Sequence, residues 1–208
     1  MEPTSKYQPD DFDLCLDRAV RLGRQNIFLR NAASEGSIEV VKKCIERNFD
    51  LNPHDSEGPL YYALLKGRVK VVNLLKDAGA NVNHTYNGRS LLSYVSEIGR
   101  VDAVKFLLEN KASANGVHQY TPLHYAAKRG SREIVSLLLH YNAFVDPAGK
   151  KVAYYKKVTP LALALEGCHV NTATALLKAG ANPKGKGCYV PQNAGVDLKE
   201  LVKSFKRK

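Results

Sequence analysis

Two short apolar patterns alternate along most of the chain. In the first pattern a Leu is followed by small residues three and four positions later, as in Leu123, Ala126 and Ala127. The second pattern has a denser apolar face, as in Ile134, Val135 and Leu138. Both spacings are typical of one face of an α-helix. The alternation therefore predicts pairs of short helices joined by turns.

Residues suited to helix ends separate these patterns. Thr121 and Pro122 open a first helix, where Pro is tolerated because its missing N–H is not needed. We expect first helices to end in the left-handed conformation at Gly36, Gly67, Gly99 and Gly130, with Cys168 at the matching place later in the chain. The second helices end at Gly79 and Gly180 or, in the other repeats, at Asn48, Lys111 and Asn142. A left-handed Lys should cost about 1 kcal/mol.

The paired pattern recurs five times, at residues 27–52, 59–83, 90–115, 121–146 and 159–183. One such pair cannot bury its own apolar face, so neighbouring pairs must supply the core. These segments resemble the ankyrin repeat family, chiefly in Thr-Pro-Leu-His-Tyr-Ala-Ala at 121–127 and Ala-Gly-Ala-Asn-Val-Asn at 78–83. The resemblance implies an all-α ankyrin-repeat solenoid of stacked helix-turn-helix units with β-hairpin-like loops. It also implies that His124 is structural and hydrogen-bonds the loop backbone.

A capping helix is predicted at each end of the stack, because terminal repeats need a polar outer face. Residues 10–22 should form one, ended by Gly23, with an apolar face of Phe12, Cys15, Leu16, Ala19 and Val20. Asp197 and Glu200 predict a capping box for the other, whose apolar stripe is Leu198, Leu201, Val202 and Phe205. We therefore predict one ankyrin-repeat domain over 1–208, with a cap at 1–25, repeats at 26–183, and a loop and cap at 184–208.

The composition excludes several classes of protein. Hydrophobic residues are 44% and charged residues 25% of the 208, which excludes a chain that is disordered throughout. No stretch approaches the roughly 18 apolar residues of a membrane span, and the N-terminus lacks the apolar segment of a secretory signal. The four scattered cysteines predict free thiols. We expect an intracellular, cytoplasmic protein, with the nucleus, or a host-cell cytoplasm, as alternative locations.

Basic residues concentrate in the last third of the chain. The net charge is +11, and residues 147–208 hold 12 Lys and Arg against 3 Asp and Glu. The insertion before the fifth repeat alternates in a way that predicts a lengthened hairpin finger. Its exposed aromatic and basic side chains should form a contact surface: Lys150, Lys151, Tyr154, Tyr155, Lys156 and Lys157.

No catalytic motif is present. The chain lacks a phosphate-binding glycine loop, the metalloprotease H-E-x-x-H and the hydrolase G-x-S-x-G. The His and Cys residues lack metal-ligand spacing, and no His has an acidic or nucleophilic partner at a recognisable spacing. We therefore expect no enzyme activity, no cofactor and no metal.

Candidate binding residues lie on the first helices and the loop tips. Tyr62, Tyr94 and Tyr125 occupy the same slot in successive repeats, opposite the core-facing positions. The resemblance places this face in a concave groove, where the phenols either anchor a partner or only fill the stack. Further candidates are the pre-glycine pair Lys128 and Arg129, matched by Glu97 and Ile98 one repeat earlier, and the loop residues Tyr86, Arg89, His118 and Tyr120.

These features predict a non-catalytic protein–protein interaction module: an adaptor, inhibitor or scaffold, acting as a monomer. It would bind an acidic protein through the groove, the loop tips and the basic finger. A eukaryotic adaptor and a bacterial effector acting in a host cell both fit. The alternative is a basic protein that binds nucleic acid or an anionic membrane, which steep salt dependence would reveal.

Overall fold

The computed structural model describes residues 9–117, 120–147, 158–185, 187–192 and 194–206, with side chains from residue 13 onward. The chain forms two compact units, Met1–Tyr86 and Asn87–Lys208. The assignment of residues 1–208 to one domain stays a prediction.

The first unit holds the N-terminal cap and two helical pairs. Its elements are α1 (Pro9–Arg21), α2 (Gln25–Glu35), α3 (Ile38–Glu46), α4 (Pro59–Leu65), α5 (Val69–Asp77) and the short strand β1 (Thr85–Tyr86). Helix α2 packs on α4, α3 packs on α5, and α1 covers α2. First helices thus stack on first helices and second helices on second helices, as the repeat predicts.

The second unit holds three further pairs and the C-terminal cap. Its elements are β2 (Arg89–Ser90), α6 (Leu91–Ile98), α7 (Val101–Glu109), α8 (Pro122–Arg129), α9 (Arg132–His140), α10 (Pro160–Glu166), α11 (Val170–Lys178) and α12 (Val196–Lys206). Helices α6, α8 and α10 pack in sequence, as do α7, α9 and α11, and α12 packs on α11.

The predicted core positions are buried. Leu123, Ala126 and Ala127 on α8 and Ile134, Val135 and Leu138 on α9 all have 0% relative exposure. Small residues on the first helices allow the helices to approach closely, while the larger aliphatic side chains of the second helices fill the space behind them. The core is therefore a continuous apolar layer within each unit.

The caps differ from prediction in two details. Leu16 and Ala19 are buried, but Val20 is 44% exposed, so its placement on the inner face is wrong. Val20 lies in the last turn of α1 beside an open depression lined by Arg21 and Phe49, among others. Helix α12 begins at Val196, which puts Asp197 inside the first turn rather than at the N-cap position that a capping box requires.

The stripe predicted on α12 is otherwise confirmed. Leu198 and Val202 are buried, and Leu201 and Phe205 are half-buried. This apolar face covers the end of the repeat stack, while Lys203 and Lys206 stay exposed.

The left-handed slots are confirmed. The first helices end at residues with positive φ, including Cys168 at +55°. The non-glycine residues that end second helices are also left-handed, with φ of 56° at Asn48, 67° at Lys111 and 60° at Asn142. Lys111 is therefore in a conformation that disfavours a residue with a Cβ.

Long polar side chains cover the ends of the preceding first helices. Each side chain donates a hydrogen bond to the backbone carbonyl two residues before the helix-ending glycine. The distances are 3.0 Å from Arg68 Nε to Ser34 O, 3.1 Å from Arg129 Nη1 to Glu97 O, and 3.2 Å from His169 Nε2 to Lys128 O. These side chains lie where a Cβ on the glycine would stand, and at Gly99 the overlap with Arg129 is severe. They satisfy carbonyls that have no partner within their own helix.

Loop side chains join consecutive repeats in a second way. After three of the second helices, α3, α7 and α9, an Asn or Asp accepts the backbone N–H of the matching loop in the next repeat, at 2.7 Å in each case: Asn52 from Asn81, Asn115 from Phe144, and Asp146 from Asn182. The last residue of a repeat therefore helps to fix the spacing to the next repeat at these three places.

His124 has the structural role that the resemblance implies. Its Nδ1 accepts the N–H of Thr121 at 3.1 Å, so Nε2 carries the proton and donates to the Val158 carbonyl at 2.9 Å. Burial lowers the pKa of His124 from 6.5 to about 4. The neutral imidazole thus ties the start of α8 to the segment before α10.

Lys111→Gly should stabilise the protein by about 1 kcal/mol, because glycine has no Cβ to strain in the left-handed slot. Urea denaturation would show a higher midpoint. Lys105→Gly is the matched control in the middle of α7, where the lost helix propensity should destabilise by about 1 kcal/mol. A midpoint that falls in both variants would contradict the strain at Lys111.

Acid should destabilise the protein through His124. Above pH 6.5 the imidazole is neutral in both states; between pH 6.5 and about 4 only the unfolded chain takes up the proton, so stability falls as pH falls. The loss from pH 7 to pH 5 should be about 2 kcal/mol, measured by urea denaturation. His124→Asn should remove this loss, whereas His140→Asn, at an exposed position, should keep it. Equal pH dependence in the two variants would contradict the assignment.

Candidate functional site

The three tyrosines of the shared slot are half-buried, which fits a position at the edge of the first-helix face. In the first unit, the Arg30 guanidinium carbon lies 5.4 Å from the Tyr62 ring centroid, and Tyr61 packs edge-on against it at 5.0 Å. Burial, and then the nearby Glu57 carboxylate, raise the pKa of Tyr62. The phenol of Tyr62 therefore stays protonated at neutral pH.

In the second unit, Arg89 joins the other two tyrosines. Its Cζ lies 4.1 Å from the Tyr94 ring centroid and 4.0 Å from the Tyr125 ring centroid. Both distances are well within cation–π range. The guanidinium thus connects a ring on α6 with a ring on α8.

Local structure brings Arg89 to this place. Arg89 directly precedes Ser90, the N-cap residue of α6, whose side chain accepts the N–H of Ser93. From there the side chain extends along α6, past Tyr94, to Glu97. Arg89 Nη2 donates to Glu97 Oε2 at 2.6 Å. The Arg89 guanidinium therefore lies over the Tyr94 ring while it pairs with Glu97, two turns into α6.

Tyr120 completes the site, which we call the Tyr–Arg cluster: Arg89, Tyr94, Glu97, Tyr120 and Tyr125. The Tyr120 ring packs edge-on against Tyr125 at 4.6 Å and stacks on the His124 imidazole at 4.7 Å. Because His124 is itself fixed by the loop backbone, the cluster has a rigid support on one side.

The structure thus brings together four of the residues proposed from the sequence, namely Arg89, Tyr94, Tyr120 and Tyr125. Lys128 is exposed on α8, one turn beyond Tyr125. Arg129 directs its guanidinium to the Glu97 carbonyl. Tyr86 and Tyr62 belong to the first unit. The remaining candidates lie outside the described residues: His118, Lys150, Lys151, Tyr154, Tyr155, Lys156 and Lys157.

Sequence reasoning missed Glu97 as a site residue. Its position in the pre-glycine pair put it on the right face, but its role depends on the side chain of Arg89, eight residues earlier. A carboxylate two helical turns after an Arg that precedes the N-cap is a signal that could have identified it.

The net charge of the chain lies in the unit that holds the cluster. Residues 87–208 contain 19 Lys and Arg against 8 Asp and Glu, whereas residues 1–86 contain 12 of each. The first unit is therefore neutral, and the second carries the whole +11. This field favours anionic partners of the second unit.

Two features are absent from the described part of the chain. No group of three or more His, Cys, Asp or Glu side chains is arranged to hold a metal ion there. Within the same residues, no helix has the length and apolar character needed to cross a membrane.

Comparison with known proteins agrees with this geometry. The family model for ankyrin repeats in three copies matches residues 9–86, 79–149 and 118–187. The ankyrin repeat and KH domain-containing protein mask-1 of Caenorhabditis elegans is 36% identical over 129 residues, which is 60% of this chain and 5% of that protein. Protein VAPYRIN-LIKE of Medicago truncatula is 29% identical over 119 residues, 54% of this chain and 25% of that protein. The chain therefore spans only a small part of these relatives.

A solved structure matches most of the chain. The human ASB11 ankyrin repeat domain superposes with a TM-score of 0.70 at 26% identity, covering 85% of this chain and 82% of that one. Ankyrin repeats are generally protein–protein interaction modules, and the fold is typically non-catalytic. With the family model matching most of its length, and with helical pairs, left-handed slots and a buried His in their expected places, this chain belongs to the ankyrin repeat family.

Proposed function

We propose that this chain is a non-catalytic interaction module that binds a segment of another protein on the first-helix face of the second unit, around the Tyr–Arg cluster. One observation carries the proposal: two tyrosine rings from consecutive repeats are held on one face by a guanidinium placed between them. Rigid, half-buried tyrosines with polar tips are typical anchors of protein interfaces.

The partner should be acidic, because the second unit carries the net charge of +11. Exposed Lys128 lies one turn from Tyr125 and adds to this field. The basic finger, with Lys150, Lys151, Lys156 and Lys157, would provide a second contact. Such a module would act as an adaptor, inhibitor or scaffold, in a eukaryotic cell or as a bacterial effector in a host. Its four free cysteines support a reducing, intracellular location, in the cytoplasm or the nucleus.

The Tyr94→Ala, Tyr125→Ala double variant should lose binding. Peptides would first be selected from a displayed random library on the wild-type chain, then resynthesised for affinity measurement. Loss of two anchor rings should weaken their binding at least about tenfold. Tyr189→Ala is the control, since Tyr189 is 62% exposed outside the cluster, and it should bind as the wild type does.

Two further measurements distinguish tyrosines that bind a partner from tyrosines that only pack between the repeats. If the double variant unfolds, the rings are filler for the stack. Lys128→Glu changes no buried side chain. If this face binds acidic peptides, Lys128→Glu should weaken their binding even when the double variant cannot be tested. Unchanged affinity in Lys128→Glu and in a folded double variant would refute the proposal. Tight binding to mixed-sequence DNA or RNA near physiological salt, with no peptide selected, would favour a nucleic-acid binder instead.

A further inference from the structure

We infer that Glu97 occupies a carboxylate-binding position on Arg89, and that an Asp or Glu side chain of the partner binds there by displacing it. The inference rests on the proposed function and assigns a chemical group to its centre. Glu97 is then an internal competitor that sets the affinity of the site.

Arg89 is oriented before a partner arrives. The Tyr94 and Tyr125 rings hold its guanidinium at 4.1 and 4.0 Å, and the side chain is 25% exposed. A ligand can therefore approach a guanidinium whose rotamer entropy is already lost, which lowers the cost of binding. The edge of a guanidinium presents parallel N–H donors that match the two oxygens of a carboxylate.

Glu97 uses this donor set incompletely. One hydrogen bond joins them, from Nη2 to Oε2; the Arg89 Nε is buried, so the exposed donors are those of the terminal nitrogens. The Glu97 side chain is 50% exposed. An ion pair with one exposed member typically contributes about 1 kcal/mol or less. Glu97 is therefore a weak occupant.

Displacement of Glu97 would leave the fold in place. The Glu97 backbone is held separately, because its carbonyl accepts the Arg129 guanidinium. Its freed carboxylate would return to water from a position that is already half exposed. One carboxylate replaces another on Arg89, so no buried charge is left unpaired during the exchange.

The charge of the surroundings favours an acidic segment as the occupant. The second unit has 19 Lys and Arg against 8 Asp and Glu, and Lys128 is exposed on the helix that carries Tyr125. A peptide whose carboxylate meets Arg89 would also contact the exposed edges of the tyrosines. The partner is therefore an acidic peptide segment with one Asp or Glu that pairs with Arg89.

The experiment compares Glu97→Gln with Glu133→Gln on the full-length chain. Both variants remove one negative charge from the second unit, but Glu133 is exposed on α9, outside the cluster. The probes are peptides selected on the wild-type chain, each resynthesised with every Asp or Glu changed in turn to Asn or Gln. Affinities are measured by fluorescence anisotropy and folding by the urea midpoint.

Glu97→Gln should bind the acidic peptides about fivefold more tightly than Glu133→Gln does. The gain should vanish for the peptide that has lost its critical carboxylate. It should also vanish in Arg89→Lys, which keeps the charge but loses the planar edge. Equal affinities in the two Gln variants, or weaker binding in a folded Glu97→Gln variant, would overturn the inference.

The outcomes also separate this inference from the function it rests on. Peptides that bind equally well to the Tyr94→Ala, Tyr125→Ala variant refute the proposed face, and the inference with it. Peptides that need the tyrosines but show no difference between the two Gln variants refute only the role of Glu97. Failure to select any peptide counts against both.

Discussion

Each helical pair leaves its apolar face open, and this constraint governs the rest of the structure. Leu123, Ala126 and Ala127 are fully buried only because the helices before and after α8 cover them. Small residues on the first helices bring those helices together, while aliphatic residues on the second helices fill the layer behind. In the first unit α1 covers α2, and in the second unit α12 covers α11; each of these two helices turns an apolar stripe inward and charged residues outward.

Apolar stacking by itself does not fix the spacing of the repeats, and polar side chains do so. Asn52, Asn115 and Asp146 each accept a backbone N–H of the next loop. Arg68, Arg129 and His169 donate to the ends of earlier first helices. Exposed basic residues in this fold therefore have two kinds of role. Arg129 is engaged in joining repeats, whereas its neighbour Lys128 is available to a partner.

The Tyr–Arg cluster combines packing with recognition. Arg89 lies between Tyr94 and Tyr125 and so helps to join α6 to α8, which is what a filler would do. The same arrangement orients a guanidinium and two phenols on the face that carries the charge of the second unit. Stacking and anchoring are thus consequences of one geometry. The two roles, packing and partner binding, can be distinguished by asking whether an external carboxylate displaces Glu97 from Arg89. Glu97 is half exposed and is held by one hydrogen bond.

The sequence by itself determined the helical pairs, their left-handed ends, the structural His124 and the slot shared by the three tyrosines. These features depend on local conformation or on the register of the repeat, and both can be inferred from the order of residues along the chain. Tertiary structure decided that Val20 is exposed, that Arg129 covers Gly99, and that Arg89 lies between two rings and reaches Glu97. Each of these depends on which long side chain from a neighbouring element arrives at a given surface. The positions differ from repeat to repeat, since Arg68 follows its glycine and Arg129 precedes its own, so a repeat pattern cannot predict them.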